Sequence, residues 1–295
     1  MQPIIDSHFH IWRQQDLPWL IGPMVPRIFG PYDPIRRDYP IEEFLADQEA
    51  SGIEKAVYVQ TNWAKEDFEK ETAWVQETAD RTGWPHAIVG YADMTVDDVR
   101  PQIDRLAKYP LLRGVRMQLH WHENPNYRFA VSATQVLEPN VRKNVAFLKD
   151  YGLSFDLQLF PAQMADGAML VEENPDVDFI LTHVGMLTDT EPATVAAWEE
   201  GLRRLAAHPN VFAKLSGLGT FIHRNDPELI DFIVSRAVDI FGGDRLMFGS
   251  NFPIEKLWTD HKTMVDSYRL AADKLDENAK SSILHDTAAR VYRPA

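Results

Sequence analysis

Short apolar runs rich in β-branched residues recur along the chain and alternate with longer segments whose apolar residues are three or four positions apart. The short runs are typical of buried parallel strands, and the longer segments are typical of amphipathic helices. The pattern predicts eight strands, around PIIDSHFH, KAVYVQTN, HAIVGYADM, LLRGVRMQLH, LSFDLQLF, DFILTHVG, NVFAKLSGL and RLMFGSNFP. Helices are predicted between them, for example over FEKETAWVQETADRTG and DPELIDFIVSRAVDIFG.

This alternation predicts an α/β fold, a (β/α)8 TIM barrel formed by one domain over residues 1–295. An open, doubly wound sheet fits less well, because no G-x-G-x-x-G phosphate loop follows the first strand. The composition, 45% hydrophobic and 25% charged, is sufficient for one large core. No internal repeat or low-complexity tract marks a second domain.

One long segment, WRQQDLPWLIGPMVPRIFGPYDPIRRDYP (residues 12–40), separates the first predicted strand from the next helix and is dense in proline, glycine and aromatic residues. Connections longer than about 12–15 residues are uncommon and are often functional. We expect this segment to be a functional lid or a packed cover over the mouth of the barrel. The alternative is a proline-stiffened wrap that only buries apolar surface.

Charge and cysteine content narrow the function. The net charge of -14 disfavours nucleic acid or an anionic membrane as a partner, but it permits a small anionic substrate held by local arginines. Cysteine is absent, which excludes disulfides, thiolate zinc sites and cysteine nucleophiles. No apolar run approaches the length of a membrane span, and no basic region precedes the first apolar run, so we expect a cytoplasmic enzyme.

Polar residues collect at the ends of the predicted strands, where (β/α)8 enzymes carry their active sites. They are His8, His10, Gln60, Asn62, Arg116, Gln118, His120, Trp121, His122, Gln158, His183, Lys214, Ser216, Ser250 and Asn251. So many polar groups at one rim predict a catalytic or binding site.

Two histidines one residue apart, His8 and His10, lie in the first predicted strand. Alternate residues of a strand share a face, so Asp6, His8 and His10 are expected to point one way, and Ile5 and Phe9 the other. Such a pair fits a metal clamp, an acid and base pair, or two hydrogen-bonded polar side chains.

His183 ends an otherwise apolar strand, and a lone histidine there is usually a hydrogen-bonded core residue. With His8 and His10 at the same rim, three imidazoles and a water would form an open zinc site that makes the bound water acidic. His8, His10 and His183 are therefore candidate catalytic residues and candidate metal ligands.

Arg116 is the candidate anchor for a substrate carboxylate, because a buried arginine facing the mouth needs an anion. The alternative is an ion pair with an internal carboxylate such as Asp156. Lys214 is a candidate donor to a substrate carbonyl or carboxylate, with a structural lysine as the alternative.

Gln60, His120 and Trp121 complete the candidate substrate-binding set. His120 and His122 form a second His-x-His pair, which fits a binding loop or another metal site. A solvated loop with incidental histidines fits equally well.

The sequence resembles the amidohydrolase superfamily, in the branch that includes sugar-acid lactonases and 2-pyrone-4,6-dicarboxylate lactonase. The resemblance spans nearly the whole chain and is carried by IIDSHFHIW, VYVQTNW, LRGVRMQ, ILTHVG, FAKLSGL, RLMFGSNFP and ILHDTAARVY. It implies a barrel hydrolase that opens a lactone with an activated water. It also implies that His8 and His10 bind a metal or polarise the substrate, that His183 is a further ligand or catalytic histidine, and that Arg116 anchors a carboxylate. Some members of the branch work without a metal, so zinc, manganese and metal-independent catalysis all fit.

Asn251 departs from the resemblance, since the family usually has aspartate at the end of the eighth strand. An amide accepts no proton near neutral pH, so the usual base is missing. Another residue, such as His183, His120 or Glu255, could take its place. A zinc-bound hydroxide could need no base, or Asn251 could mark a trapped or non-catalytic protein. We keep Asn251 among the candidate catalytic residues.

These observations predict a hydrolase that opens a small, carboxylated lactone. The alternatives are a metal-dependent decarboxylase of an aromatic or unsaturated acid and a non-catalytic binding barrel. Oligomeric state is not encoded in any of these patterns, although a homodimer is common for barrels of this size.

Overall fold

Eight parallel strands form one sheet in the computed structural model, which describes residues 2–295. Each strand pairs with the next along the chain, in the order β1 to β8. The strands are β1 Ile4–Phe9, β2 Ile53–Val59, β3 Ala87–Gly90, β4 Leu112–Val115, β5 Ser154–Leu157, β6 Phe179–Leu181, β7 Val211–Leu215 and β8 Leu246–Phe248. All eight predicted strands are present, which confirms the predicted single-domain (β/α)8 barrel.

The sheet curves back on itself where the segment that follows β8 meets β1. The backbone amide of Asn251 donates to the carbonyl of His8 at 2.7 Å, and that of His10 donates to the carbonyl of Phe252 at 2.8 Å. The Ser7 hydroxyl donates to the carbonyl of Phe248 at 2.6 Å. These bonds bring the first and last candidate site residues together.

Helices alternate with the strands and cover the outside of the barrel. Within residues 2–295 they are α1 Pro18–Ile21, α2 Ile41–Gln48, α3 Phe68–Thr82, α4 Arg100–Leu106, α5 Pro139–Ala146, α6 Met164–Glu172, α7 Pro192–Ala206, α8 Pro227–Phe241, α9 His261–Ala272, α10 Glu277–Ser281 and α11 Thr287–Tyr292. A π-helical turn, Ser282–Asp286, links α10 to α11. None of these helices is both long and apolar enough to cross a membrane.

The inside of the barrel is filled by apolar residues at alternate strand positions, such as Val57, Val89 and Met247. Helix α11 adds Val291 and Tyr292 to the same cluster and closes the N-terminal end of the barrel. The backbone amide of the last residue donates to the carbonyl of His86, just before β3, at 2.9 Å. The opposite end, where the strands terminate, stays open for a site.

The face alternation predicted for β1 is partly wrong. The rings of His8 and His10 are neighbours, with centroids 5.0 Å apart. However, Ile5 belongs to the inner cluster, whereas Phe9 stacks outward on Phe44 of α2 at 4.1 Å. The pairing register shifts between Asp6 and Phe9, and such a bulge inserts a residue that breaks strict alternation.

The cover segment (residues 12–40) is packed against the barrel. Trp12, Tyr32 and Tyr39 are at most 1% exposed. Trp12 and Tyr39 form a backbone bridge with two bonds of 2.9 Å, and the indole of Trp19 donates to the carbonyl of Thr61 at 2.9 Å. The segment is therefore a packed cover, and its inner face lines the mouth of the barrel.

A buried ion pair crosses the barrel interior. The Lys214 ammonium donates to Asp156 at 2.6 Å, and both side chains are fully buried. The Tyr292 hydroxyl donates to the other oxygen of Asp156 at 2.7 Å, and the ammonium lies 4.8 Å from the Tyr292 ring. The pair thus links β5, β7 and α11.

We expect Lys214→Met to lower the free energy of unfolding by about 3–5 kcal/mol, because the change leaves Asp156 charged and unpaired in the interior. Chemical denaturation at pH 7 measures this loss. The double variant Lys214→Met/Asp156→Met should recover about half of it or more, because neither charge then remains. A loss below about 1 kcal/mol in the single variant would contradict a stabilising pair.

Candidate active site

A cavity of about 740 Å³, including its open mouth, lies at the C-terminal ends of the strands. Its barrel wall includes His10, Arg116 and His183, and its cover wall includes Trp19 and Arg27. The predicted position of the site agrees with this cavity, since the wall residues follow the strand ends. A concave, largely apolar cleft with a few convergent polar groups is typical of a small-molecule site.

The cavity is cationic although the chain is acidic. Its lining contains two arginines and three histidines, and none of the described residues in the lining is aspartate or glutamate. The whole chain carries a net charge of -14. A local excess of positive charge in such a cleft attracts small anions.

Arg116 follows β4 directly and is 3% exposed. One guanidinium nitrogen donates to the carbonyl of Gln60 at 2.5 Å, and Nε has no partner. The internal carboxylate proposed as its alternative partner, Asp156, is instead bonded to Lys214 and Tyr292. Burial lowers the pKa of Arg116 to about 10, so the group stays charged at neutral pH and still needs an anion.

Gln60 follows β2 and is fully buried. Its side-chain oxygen accepts from the amide of Asn62 at 2.7 Å, and its amide group donates to the carbonyl of Arg116 at 3.4 Å. Gln60 therefore ties the ends of β2 and β4 together and positions Arg116.

The three predicted histidines lie together. The ring of His8 is 5.0 Å from that of His10 and 4.9 Å from that of His183, centroid to centroid. His10 and His183 line the cavity, whereas His8 is fully buried and does not. Burial holds the pKa of His8 and of His183 well below the ordinary value and lowers that of His10 to about 3. All three imidazoles are therefore neutral at neutral pH.

The ring of His183 is held by its neighbours. His183 and Val184 both have positive φ, 53° and 39°, a backbone state that is strained for a β-branched residue. His183 Nδ1 is 2.8 Å from the hydroxyl of Ser216. Gly217 has a φ of +64°, and a Cβ there would lie 2.7 Å from the imidazole, so glycine is required. This arrangement leaves His183 Nε2 free to face the cavity.

The donor set does not form a ready metal site. Among residues 2–295 no three or more histidine, aspartate or glutamate side chains are arranged to hold a metal ion. Both ring nitrogens of His8 lack a partner, but His10 Nδ1 is bonded to the carbonyl of Val59 at 2.7 Å. The metal-ligand role of His8, His10 and His183 stays a prediction.

Asn251 joins the site to a buried carboxyl. It is 4% exposed and has a φ of 55°, and its side chain lies close enough to His10 and Glu255 to affect the pKa of both groups. Glu255 also accepts from the indole of Trp258 at 2.8 Å. Burial raises the pKa of Glu255 to about 8, so this carboxyl is largely protonated at neutral pH. The neutral amide of Asn251 suits a position between a neutral imidazole and a neutral acid.

The second His-x-His pair is divided between two environments. His120 is 1% exposed and lines the cavity, with Nδ1 unpartnered. His122 packs on Phe160 with ring centroids 4.9 Å apart and does not reach the cavity. Trp121 does not line the cavity either, and its ring stacks under Arg128 at 4.6 Å.

Lys214 is another candidate that the fold keeps out of the cavity lining. Its ammonium is bonded to Asp156 below the site. The structural alternative for Lys214 therefore matches the observed contacts, whereas Arg116, at the barrel wall, forms no ion pair with any carboxylate of residues 2–295.

Several residues of the cavity lining are not among those predicted from the sequence, namely Trp19, Arg27, Phe29, Phe129 and Thr220. Their signal in the sequence was weak. Arg27 is the one charged residue in the apolar stretch MVPRIFG, inside the segment expected to be a cover. A single charge in such a stretch is the signal that could have indicated a binding residue.

Comparison with known proteins identifies the class of this barrel. The chain belongs to the amidohydrolase family, whose family model matches residues 5–293. It is therefore a hydrolase of the amidohydrolase type.

Individual relatives cover the chain almost completely. Uncharacterized protein y4mH of Sinorhizobium fredii is 36% identical and covers 98% of both chains. L-fucono-1,5-lactonase of Burkholderia ambifaria is 28% identical and covers 98% of this chain and 95% of its own. An amidohydrolase from Burkholderia multivorans, crystallised with bound zinc, is 28% identical, with a TM-score of 0.82 and 99% coverage of each chain.

We expect Glu255→Gln to remove a pH dependence of stability. The pKa of Glu255 rises from 4.5 to about 8 on folding, so the folded state keeps a proton that the unfolded state loses. Its contribution is complete below about pH 4.5 and declines as the pH rises towards 8, by a few kcal/mol in all. Denaturation of wild type and variant from pH 4 to pH 9 measures the difference.

The matched control is Glu277→Gln, at a glutamate whose side chain is 88% exposed. This variant should keep the wild-type pH profile. Parallel profiles for wild type and Glu255→Gln would show that Glu255 is not protonated preferentially in the folded protein.

Proposed function

We propose that this barrel hydrolyses a small lactone that carries a carboxylate. The observation that carries the proposal is the buried guanidinium of Arg116, which is unpaired in a cavity without acidic side chains, beside neutral histidines. The similarity to L-fucono-1,5-lactonase supports a cyclic ester as the substrate.

In this proposal Arg116 binds the substrate carboxylate. Its Nη2 is committed to the carbonyl of Gln60, whereas Nε is buried without a partner, and the Arg116 side chain lines the cavity where an anion would bind. Charge-assisted bonds to a planar carboxylate fix orientation as well as adding affinity. The lactone carbonyl is then held near His10 and His183.

His183 serves as the general base. Burial lowers the pKa of His183 and keeps the ring neutral, and with its Nδ1 proton donated to Ser216, Nε2 carries the lone pair that takes the proton. Water attacks the carbonyl carbon while Nε2 takes its proton. The bond from this carbon to the ring oxygen then breaks, and the imidazolium returns the proton to that oxygen. The product is a hydroxy acid.

Asn251 substitutes for a charged group in this scheme. Its side chain lines the cavity near His10 and Glu255, and an N–H donor at this place stabilises the negative charge that develops on the carbonyl oxygen. The proton transfer that an aspartate would perform is assigned to His183.

A panel of carboxylated and neutral lactones tests the proposal, with proton release as the signal and mass spectrometry for the gain of one water. We expect turnover of a carboxylated lactone. Arg116→Met should raise KM for that substrate by about tenfold or more, because a charge-assisted bond is lost. The same change should affect a neutral lactone far less.

Arg113→Met is the matched control on the same strand. The Arg113 guanidinium donates to the carbonyls of Pro110 at 2.7 Å and Leu112 at 2.9 Å, away from the cavity. This variant should keep wild-type kinetics. Release of carbon dioxide would indicate a decarboxylase instead, and binding without turnover across the panel would indicate a non-catalytic barrel.

His8→Ala/His10→Ala should abolish turnover, because the change removes the His10 imidazole from the cavity wall and the buried His8 imidazole that packs against His10 and His183. Circular dichroism should show an intact fold. Plasma mass spectrometry on the same preparations decides the cofactor. About one equivalent of zinc or manganese, lost with activity in the variant, would assign the pair to a metal. Less than about a tenth of an equivalent, with wild-type hydrolysis intact, would assign it to the substrate.

A further inference from the structure

The cover segment contributes an arginine to the cavity, opposite the wall that carries Arg116. We propose that Arg27 binds a second anionic group of the substrate, remote from the reacting carbonyl, so that the preferred substrate is a dianion held between barrel and cover. This inference rests on the proposed function and specifies the substrate class of the same site.

The guanidinium of Arg27 has no anionic partner among residues 2–295. The side chain is half-buried and lines the cavity, and its Nε has no hydrogen-bond partner. Tyr32 is its polar neighbour, and no carboxylate among residues 2–295 contributes to its charge environment. Burying part of an arginine without an anion is unfavourable, and a bound anion removes that penalty.

The other arginines of the cover segment are all satisfied. Arg13 pairs with Asp16 at 2.5 Å and Arg37 with Glu43 at 2.6 Å. Arg36 donates to backbone carbonyls of the segment at 3.1 and 2.7 Å. Arg27 is thus the exception in its own segment, and it is the one that faces the cavity.

Aromatic rings hold Arg27 in place. Its guanidinium carbon lies 5.6 Å from the ring of Trp19 and 5.2 Å from that of Phe129. Trp19 is itself anchored by its indole bond to Thr61. Cation–π contacts stabilise the orientation but leave the in-plane N–H donors free for an anion. The side chain is therefore preorganised.

The lowered pKa of His120 indicates that Arg116 and Arg27 both lie near the same part of the cavity. Burial, together with the charges of Arg116 and Arg27, lowers the pKa of this histidine to about 3. His120 is therefore neutral and lies within the field of both cations. A substrate with one anionic group on each arginine would cross the cavity beside His120.

Binding of simple carboxylates tests the inference without knowledge of the substrate. The probes are succinate, glutarate and adipate, compared with butanoate, pentanoate and hexanoate of the same lengths. Isothermal titration calorimetry at physiological salt measures affinity, and tryptophan fluorescence follows occupancy because Trp12 and Trp19 line the cavity. We expect one dicarboxylate to bind wild type about tenfold or more tighter than its monocarboxylate.

Arg27→Met keeps an apolar stem between the two rings and removes the charge. It should abolish the dicarboxylate advantage while leaving monocarboxylate affinity within about twofold, because the monoanion still binds Arg116. Arg27→Lys should retain part of the advantage, since the charge remains but the planar fork is lost.

Arg13→Met is the matched control, because Arg13 lies in the same segment and also stacks on tryptophans, at 5.5 Å from Trp63 and 5.2 Å from Trp74. It pairs with Asp16 and should leave both affinities at wild-type values. The inference is overturned if wild type shows no preference for dicarboxylates. It is also overturned if Arg27→Met weakens both probe types equally, or if Arg13→Met has the same effect as Arg27→Met.

The two proposals fail in different ways. Hydrolysis of lactones without any dicarboxylate preference would remove the role of Arg27 and leave the lactonase proposal intact. A dicarboxylate preference that depends on Arg27, with no lactone hydrolysed, would remove the lactonase proposal and leave the second anion site.

Discussion

The hydrogen bonds that join β1 to the segment after β8 are the constraint on which the site depends. The amides of Asn251 and His10 donate across this seam, at 2.7 and 2.8 Å, to the carbonyls of His8 and Phe252. They join the first strand of the sheet to the segment that follows the last strand, more than 200 residues later in the sequence. Because the seam closes at the C-terminal ends of the strands, it places His10 beside Asn251 and His8 beside His183. The barrel interior below is sealed by α11, so ligand access is restricted to the covered mouth.

Two buried cations of the barrel, Lys214 and Arg116, differ in whether a carboxylate binds them. This difference indicates which of the two is structural and which is functional. Lys214 and Arg116 are both in the interior, and both lie within the field of the buried carboxylate Asp156. Lys214 takes that carboxylate with a bond of 2.6 Å and links three elements. Arg116 receives only a backbone carbonyl and faces the cavity. A paired buried charge is structural, whereas an unpaired one at the wall of a cavity indicates a missing anion.

Most ionisable side chains at the centre of the site are uncharged at neutral pH. Burial keeps the three central imidazoles uncharged, and it keeps Glu255 largely protonated behind Asn251. A charged aspartate at position 251 would face this buried carboxyl, and two carboxylates in contact cannot both ionise at low cost. The amide at this position is therefore consistent with its surroundings, and the base chemistry moves to His183 in the proposed mechanism.

The sequence by itself determined the eight strands, the alternation with helices and the rim of polar residues, because these depend on local periodicity and on the rule that barrel sites lie at strand ends. Only the tertiary structure decided which polar residues reach the cavity. It broke the alternation of β1 with a bulge, gave Asp156 to Lys214 rather than to Arg116, and brought Arg27 to the mouth from a segment without periodicity. The physical reason is packing between residues that are far apart in the chain. This packing decides which buried charges pair with each other and which path an irregular segment takes.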